Sequence, residues 1–215
     1  MHDFDPTRPG YLTTIDKDIA NNIYQYYLSR KNIEEFTHPS SSHNLINTYV
    51  ENGGWSEALA YEMDYLKEHT YPFGGEILCH WLKVYDENQH HIGGFLGLHQ
   101  DYHEFPELES KDEMITTNSI LLHQSDDLEG GDLIFAGDAF DDSKDPIEIA
   151  DRPYNTKHIM HRMEIDRHKD VGDVMWWHGY TVHGVSRIKK GNRVTLMIIK
   201  TTDINDRYFK RERNG

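Results

Sequence analysis

The sequence contains a single cysteine, Cys79, and lacks any apolar run of about 18 residues. A lone cysteine excludes an intrachain disulfide and favours a reducing compartment, so we expect a cytoplasmic protein. The missing apolar run argues against a transmembrane helix. The acidic segment Met1–Asp5 lacks the basic-then-apolar order of a signal peptide, so no membrane partner is expected.

Basic residues are also scarce, because 22 Lys and Arg stand against 37 Asp and Glu, a net charge of −15. Such a field repels polyanions, which makes a nucleic-acid partner unlikely. Residues 203–215 form a basic tail that fits a solvated end or a local contact. A chain of 215 residues with 37% hydrophobic content suits one globular domain, residues 1–215. The sequence carries no signal for the oligomeric state.

Residues 1–75 predict a helical N-terminal support that follows a loose arm over residues 1–12. Isoleucines at helical spacing predict a helix over Asp16–Arg30, with Thr13-x-x-Asp16 as a candidate capping box. A second apolar stripe predicts a helix over Ser56–His69.

Residues 76–202 are expected to form the core of the domain, because they contain short segments rich in β-branched and aromatic residues. The predicted strands are Ile77–Tyr85, Phe95–Asp101, Thr116–His123, Asp132–Phe135, His158–Ile165, Asp173–Trp177, Thr181–Ile188 and Arg193–Thr201. Eight short strands after two helices indicate a mainly β fold, an antiparallel jelly roll with flanking helices. The long acidic gaps 102–115 and 136–157 are typical of lids or disordered loops.

His99, Asp101 and His183 are candidate ligands of a metal ion. Residues i and i+2 of a strand point to one face, so His99 and Asp101 can bind one ion if their segment is extended. Two imidazoles and a carboxylate form the facial triad that holds non-haem Fe(II) and leaves open positions. The competing histidines are His90, His91, His103 and His178.

Arg193 and Thr195 are a second i, i+2 pair, on an apolar segment. A guanidinium beside a hydroxyl suits a carboxylate, which arginine binds in a bidentate manner. A hydrolytic zinc site would use a similar ligand set. It would leave this pair unexplained, however, and the sequence lacks the His-Glu-x-x-His motif.

The order of these motifs resembles the Fe(II)- and 2-oxoglutarate-dependent oxygenases, most closely the prolyl 4-hydroxylase-like branch. The matching segments, within about Ile77 to Thr201, are His99 and Asp101, Glu129–Phe135, Val171–Trp176, His183–Val185 and Gly191–Thr195. His183 is preferred over His178 because Arg193 follows it by ten residues, the spacing of the family. One departure weakens the substrate analogy, since collagen prolyl hydroxylases have lysine where this chain has Arg193.

The resemblance implies a cupin-like double-stranded β-helix that holds Fe(II) on His99, Asp101 and His183. It further implies that 2-oxoglutarate chelates the iron, that its far carboxylate binds Arg193 and Thr195, and that O₂ is the second co-substrate. Tyr85, which precedes the His-x-Asp segment, resembles a co-substrate-binding tyrosine. Ascorbate is a candidate reductant.

The resemblance implies hydroxylation of an amino-acid side chain, free or in a peptide or protein. Hydroxylation is favoured over halogenation because the carboxylate of Asp101 occupies the position that a halide would need. The alternatives are oxidation of a nucleobase, which the charge disfavours, and a non-catalytic jelly-roll binding protein, which the intact ligand set disfavours. If the acidic gaps rim the site, they attract neutral or cationic substrates.

Overall fold

The computed structural model describes residues 9–30, 45–49, 57–75, 77–86, 96–99, 101, 113–136, 163–179, 181, 183–186 and 188–203. The helices in these residues are α1 (Lys17–Arg30) and α2 (Ala60–His69). The strands are β1 (Gly10–Thr14), β2 (Leu45–Tyr49), β3 (Ile77–Asp86), β4 (Leu96–His99), β5 (Glu113–Gln124), β6 (Leu133–Ala136), β7 (Met163–Asp166), β8 (Asp173–His178), β9 (His183–Val185) and β10 (Asn192–Asp203). Neither described helix is long and apolar enough to span a membrane.

The strands form two antiparallel sheets. The larger sheet has six strands in the order β1-β8-β5-β10-β3-β2, and the smaller has four in the order β4-β9-β6-β7. From β3 onward the chain crosses repeatedly between the sheets, which is the topology of a jelly roll. The predicted fold class, mainly β with flanking helices, is confirmed.

The larger sheet is buried on both faces, and β10 shows how. Val194, Leu196 and Ile198 pack into a cluster with residues of α1 and α2. Met197 and Ile199 point the other way and pack against side chains of the smaller sheet. Since both faces of β10 are covered, the polar side chains between the two sheets lie in a buried interior.

The N-terminal region departs from the prediction, because β1 and β2 lie at the two edges of the larger sheet. Gly10–Leu12, expected in a loose arm, belong to β1, which pairs with β8. Thr13 is also in this strand, and the helix is instead capped by Asp16, whose Oδ1 accepts the backbone N–H of Asp18 at 2.8 Å. The helical-support description of residues 1–75 is therefore incomplete, and the single-domain assignment stays a prediction.

Each predicted core strand corresponds to an observed strand, but the observed strands begin or end at different residues. The segment expected to extend through Asp101 is β4, which ends at His99, and the one expected over Thr181–Ile188 is β9, which spans three residues. Residues 113–115 belong to β5 rather than to a gap. Residues 102–112 and 137–162, which contain most of both acidic gaps, lie outside the described residues.

Candidate metal and co-substrate site

Asp101 and His183 lie together between the sheets, 82 positions apart in the sequence. Asp101 follows the end of β4, and His183 begins β9, the strand that pairs with β4. As whole residues, Asp101 and His183 are 2% and 1% exposed. His183 Nε2 lies 3.5 Å from Asp101 Oδ2, so two of the three predicted metal ligands face each other in a buried space.

The tautomer of His183 is fixed by a neighbouring carbonyl. His183 Nδ1 lies 2.9 Å from the backbone oxygen of Thr181, and because a carbonyl only accepts, Nδ1 must carry the proton. In the neutral ring this leaves the Nε2 lone pair directed towards the carboxylate of Asp101. A proton or a cation shared between Nε2 and the carboxylate would stabilise these two facing acceptors. A metal-ligating histidine usually donates its other ring N–H to a carbonyl or carboxylate, as His183 does here.

Two donors hold the carboxylate of Asp101 in place. Thr117 Oγ1 donates to Asp101 Oδ2 at 2.6 Å, and Trp177 Nε1 donates to the same oxygen at 2.8 Å. Thr117 and Trp177 are cross-strand partners on β5 and β8, so the larger sheet sets the position of both donors. Carboxylates that bind metals are commonly oriented by such hydrogen bonds. The donor set therefore fits a divalent cation.

A pocket beside this pair contains the side chains of Arg193 and Thr195 and extends to His183. Arg193 and Thr195 are 3% and 1% exposed and lie on the inner face of β10, as their i, i+2 spacing predicts. The guanidinium of Arg193 donates to the backbone oxygen of Gly131, which fixes its position.

His168 is buried near Arg193, and its imidazole is neutral. Its Nε2 donates to the backbone oxygen of Ser119 at 2.8 Å. Burial, and secondarily the positive charge of Arg193, lower the pKa of His168 from 6.5 to about 3. His168 therefore adds no second positive charge beside Arg193.

The remaining predicted site residues are placed only in part. His99 and Tyr85 are described in their backbones, where His99 pairs with His183 and Tyr85 pairs with Arg193, but their side chains lie outside the described residues. The side chains that are described contain no group of three metal-ligating residues. The metal triad and the role of Tyr85 thus stay predictions.

The competing residue His178 lies on the opposite face of β8 from Trp177. It packs edge-to-face against Trp176, with ring centroids 4.9 Å apart. Trp177 lines the pocket, whereas Trp176 belongs to the core beneath the helices. The strand alternation therefore separates His178 from Asp101. The other competing histidines lie outside the described residues.

Sequence reasoning missed Thr117, Ser119 and Lys83, which surround the site. The sequence contains a signal for Thr117 and Ser119, because the run Thr116-Thr117-Asn118-Ser119 is polar and lies within a predicted strand. In the structure all four residues are buried. Buried polar side chains require partners, so such a run indicates a site or a structural network. Lys83 and Tyr85 are an i, i+2 pair on β3, so they belong to the same face of the strand. Lys83 could therefore have been identified from its spacing to Tyr85.

No protein-family model and no curated protein matches this sequence. Solved structures do match. The epimerase SnoN of nogalamycin biosynthesis, in complex with Fe³⁺, alpha-ketoglutarate and nogalamycin RO, is 14% identical with a TM-score of 0.66, over 93% of this chain and 81% of SnoN. EctD from S. alaskensis is 15% identical with a TM-score of 0.59, over 93% of this chain and 75% of EctD.

A prolyl-4-hydroxylase from Pseudomonas putida is 12% identical with a TM-score of 0.51, over 91% of this chain and 95% of that enzyme. These likenesses concern the fold, since the identities are low. SnoN is a non-haem, alpha-ketoglutarate-dependent enzyme of the same architecture. The chain thus shares its fold with these solved structures.

Proposed function

We propose that this chain is an Fe(II)- and 2-oxoglutarate-dependent dioxygenase that hydroxylates an unactivated C–H bond of an amino-acid side chain, free or in a peptide or protein. One observation carries the proposal. The buried pair Asp101 and His183 adjoins a pocket that contains the buried Arg193 and Thr195. A metal-ligating pair next to a carboxylate-binding pair matches the two halves of an iron-bound dicarboxylate.

His183 and Asp101 would bind the metal with His99, whose backbone lies opposite His183 across β4 and β9. When bound, Fe(II) supplies the chemistry that couples O₂ activation to decarboxylation of 2-oxoglutarate. Thr181 keeps the proton of His183 on Nδ1, and Thr117 and Trp177 orient the carboxylate of Asp101. The protein therefore contributes preorganised ligands, which limits reorganisation when the metal binds.

Arg193 and Thr195 would bind the far carboxylate of 2-oxoglutarate. Leu133, Trp177 and Val185 line the same pocket with apolar surface, which excludes water and strengthens a charge-assisted hydrogen bond. Tyr85 lies opposite Arg193 in the sheet register, which supports its proposed hydrogen bond to the co-substrate.

The substrate class is inferred from charge and from family resemblance. A net charge of −15 disfavours nucleic acids and favours neutral or cationic substrates, with proline as a first candidate. The acidic segments that follow Asp101 and Ala136 in the sequence lie outside the described residues. A negative potential from them would favour the same substrates. Ascorbate is proposed as a reductant that maintains Fe(II).

The test is release of succinate from 2-oxoglutarate by the Fe(II)-loaded protein, with mass spectrometry of amino acids and peptides for a gain of one oxygen. Asp101→Ala should abolish both signals because it removes a metal ligand. Asp127→Ala is the matched control, since Asp127 is 53% exposed and pairs with Lys190 on the surface. Turnover by Asp101→Ala at the wild-type rate, or no succinate from any preparation with any substrate, would contradict the proposal.

A further inference from the structure

Tyr71 lies behind the two residues that hold Asp101, on the helix side of the larger sheet. It follows α2 in the chain, is buried, and belongs to the core cluster beneath the helices. The donors to Asp101, Thr117 and Trp177, form one cross-strand pair of β5 and β8. Side chains on a strand alternate between its two faces, so the residues that flank this pair point to the side on which Tyr71 lies.

Tyr71 contacts both of the flanking cross-strand pairs, which are Thr116 with His178 and Asn118 with Trp176. The side-chain amide of Asn118 binds the backbone of Tyr71 twice: its Oδ1 accepts the N–H at 2.9 Å, and its Nδ2 donates to the carbonyl at 2.7 Å. Thr116 Oγ1 donates to the same carbonyl at 3.0 Å. The ring of Tyr71 packs against the rings of Trp176 and His178, with centroids 4.6 and 6.5 Å apart. One residue therefore contacts β5 and β8 together, on the face opposite the site.

These contacts constrain the position of both donors to Asp101. Thr117 Oγ1 and Trp177 Nε1 point at the same carboxylate oxygen, at 2.6 and 2.8 Å. Hydrogen bonds hold only within a narrow range of distance and angle, so a small shift of β5 against β8 lengthens one of the two. Packing and hydrogen bonds behind a site are what keep its side chains in a productive geometry. A residue at the position of Tyr71 can thus act on the metal site without touching it.

We propose that Tyr71 is a positioning residue for the metal site, which sets the orientation of the Asp101 carboxylate through β5 and β8. The inference rests on the proposed function, because it takes Asp101 as a metal ligand, and it deepens that function by adding a support outside the pocket. The parts of Tyr71 that act are its backbone, which Asn118 holds, and its ring, which packs on Trp176. The bond from Thr116 is dispensable, since the Tyr71 carbonyl keeps its bond from Asn118 when that hydroxyl is lost.

The experiment measures Mn(II) binding to the apo protein by calorimetry and the electron paramagnetic resonance spectrum of the bound ion, alongside urea unfolding. Tyr71→Leu removes the ring and should weaken Mn(II) binding roughly three- to tenfold, less than the roughly 10–100-fold typical of a residue that contacts a metal ligand directly. The zero-field splitting of bound Mn(II) should change as well, because it reports the arrangement of the ligands. Tyr71→Phe keeps the ring and should match the wild-type protein in both measurements.

Leu82→Ala is the matched control for lost core packing. Leu82 is buried in the same core cluster, but it lies on β3, whose partners in the described sheet are β10 and β2. This variant should lower the urea midpoint and leave the affinity for Mn(II) and the spectrum unchanged. If Tyr71→Leu does not fold, Asn118→Ala tests the clamp on the Tyr71 backbone, with the same expected loss of affinity.

Wild-type Mn(II) affinity and spectrum in Tyr71→Leu, or in Asn118→Ala where that variant replaces it, would overturn the inference. An equal loss of affinity in Leu82→Ala would also overturn it, because the effect would then follow stability rather than position. Failure of the wild-type protein to bind Mn(II) would instead overturn the proposed function itself.

Discussion

Replacing Thr117 with valine tests how the sheet holds the metal site. Valine keeps the shape and the β preference of threonine but removes the hydroxyl that donates to Asp101 Oδ2 at 2.6 Å. A hydrogen bond to a charged group contributes about 1.5–3 kcal/mol. Changing a residue that orients a metal ligand typically lowers metal affinity about 10–100-fold, which corresponds to about 1.4–2.8 kcal/mol. The two magnitudes agree.

The adjacent residue provides the control. Thr116 is as deeply buried, but its Oγ1 donates at 3.0 Å to the backbone oxygen of Tyr71, on the opposite face of β5. Thr116→Val should therefore lower the free energy of unfolding by about 1 kcal/mol and leave metal affinity unchanged. Thr117→Val should lower metal affinity as well as stability.

The assay is titration of apo protein with Mn(II) by calorimetry, alongside urea unfolding of each variant. Both variants must first show a cooperative unfolding transition, so that lost affinity is not lost folding. Wild-type metal affinity in Thr117→Val, or an equal loss of affinity in Thr116→Val, would refute the idea that Asp101 is a ligand oriented from β5.

Three further predictions concern the co-substrate, stability and the substrate. Arg193→Ala should raise the Michaelis constant for 2-oxoglutarate at least about tenfold, because it removes a charge-assisted pair; an unchanged constant in steady-state assays would transfer the role to another residue, with Arg187 the nearest candidate. Burial lowers the pKa of His168 to about 3 and that of His80 to about 4, so the unfolded state takes up protons first as the pH falls below 6.5. Stability is fully present above that pH and should fall by up to about 3 kcal/mol per pH unit between pH 6 and 4. Urea midpoints that stay level there would contradict these assignments. Peptides of graded charge should show catalytic efficiencies that favour basic sequences at low salt and converge at high salt, and acidic peptides turned over equally well at low salt would exclude steering by the acidic gaps.

The sequence was most informative where local pattern and buried environment agree. The apolar, β-branched segment Arg193–Thr201 predicted a strand, which the structure contains as β10, and the i, i+2 spacing placed Arg193 and Thr195 on one face of it. His183 was preferred over His178 because its spacing to Arg193 is that of the resembled family. The structure places His183 beside Asp101, and its role as a metal ligand stays a prediction. The period of a strand is a property of the chain itself, which is why it could be read directly.

Features that depend on distant partners could not be read in this way. Strand β1 has only five residues, and its place at an edge of the larger sheet depends on pairing with β8, more than 150 positions later. The position of the Asp101 carboxylate depends on donors from Thr117 and Trp177. Lys83 was recognised as part of the pocket lining only when the strand register placed it opposite Thr195. Each of these requires knowledge of which strands are neighbours.

The central claim is that one site binds a metal and 2-oxoglutarate together. The most direct measurement is anaerobic calorimetry of Fe(II) and 2-oxoglutarate, each titrated with and without the other. We predict one Fe(II) per chain and a mutual increase in affinity by the same factor in both directions, as linkage requires. Asp101→Ala should abolish metal binding and the coupling. Binding of 2-oxoglutarate that is as tight without metal as with it would contradict the claim.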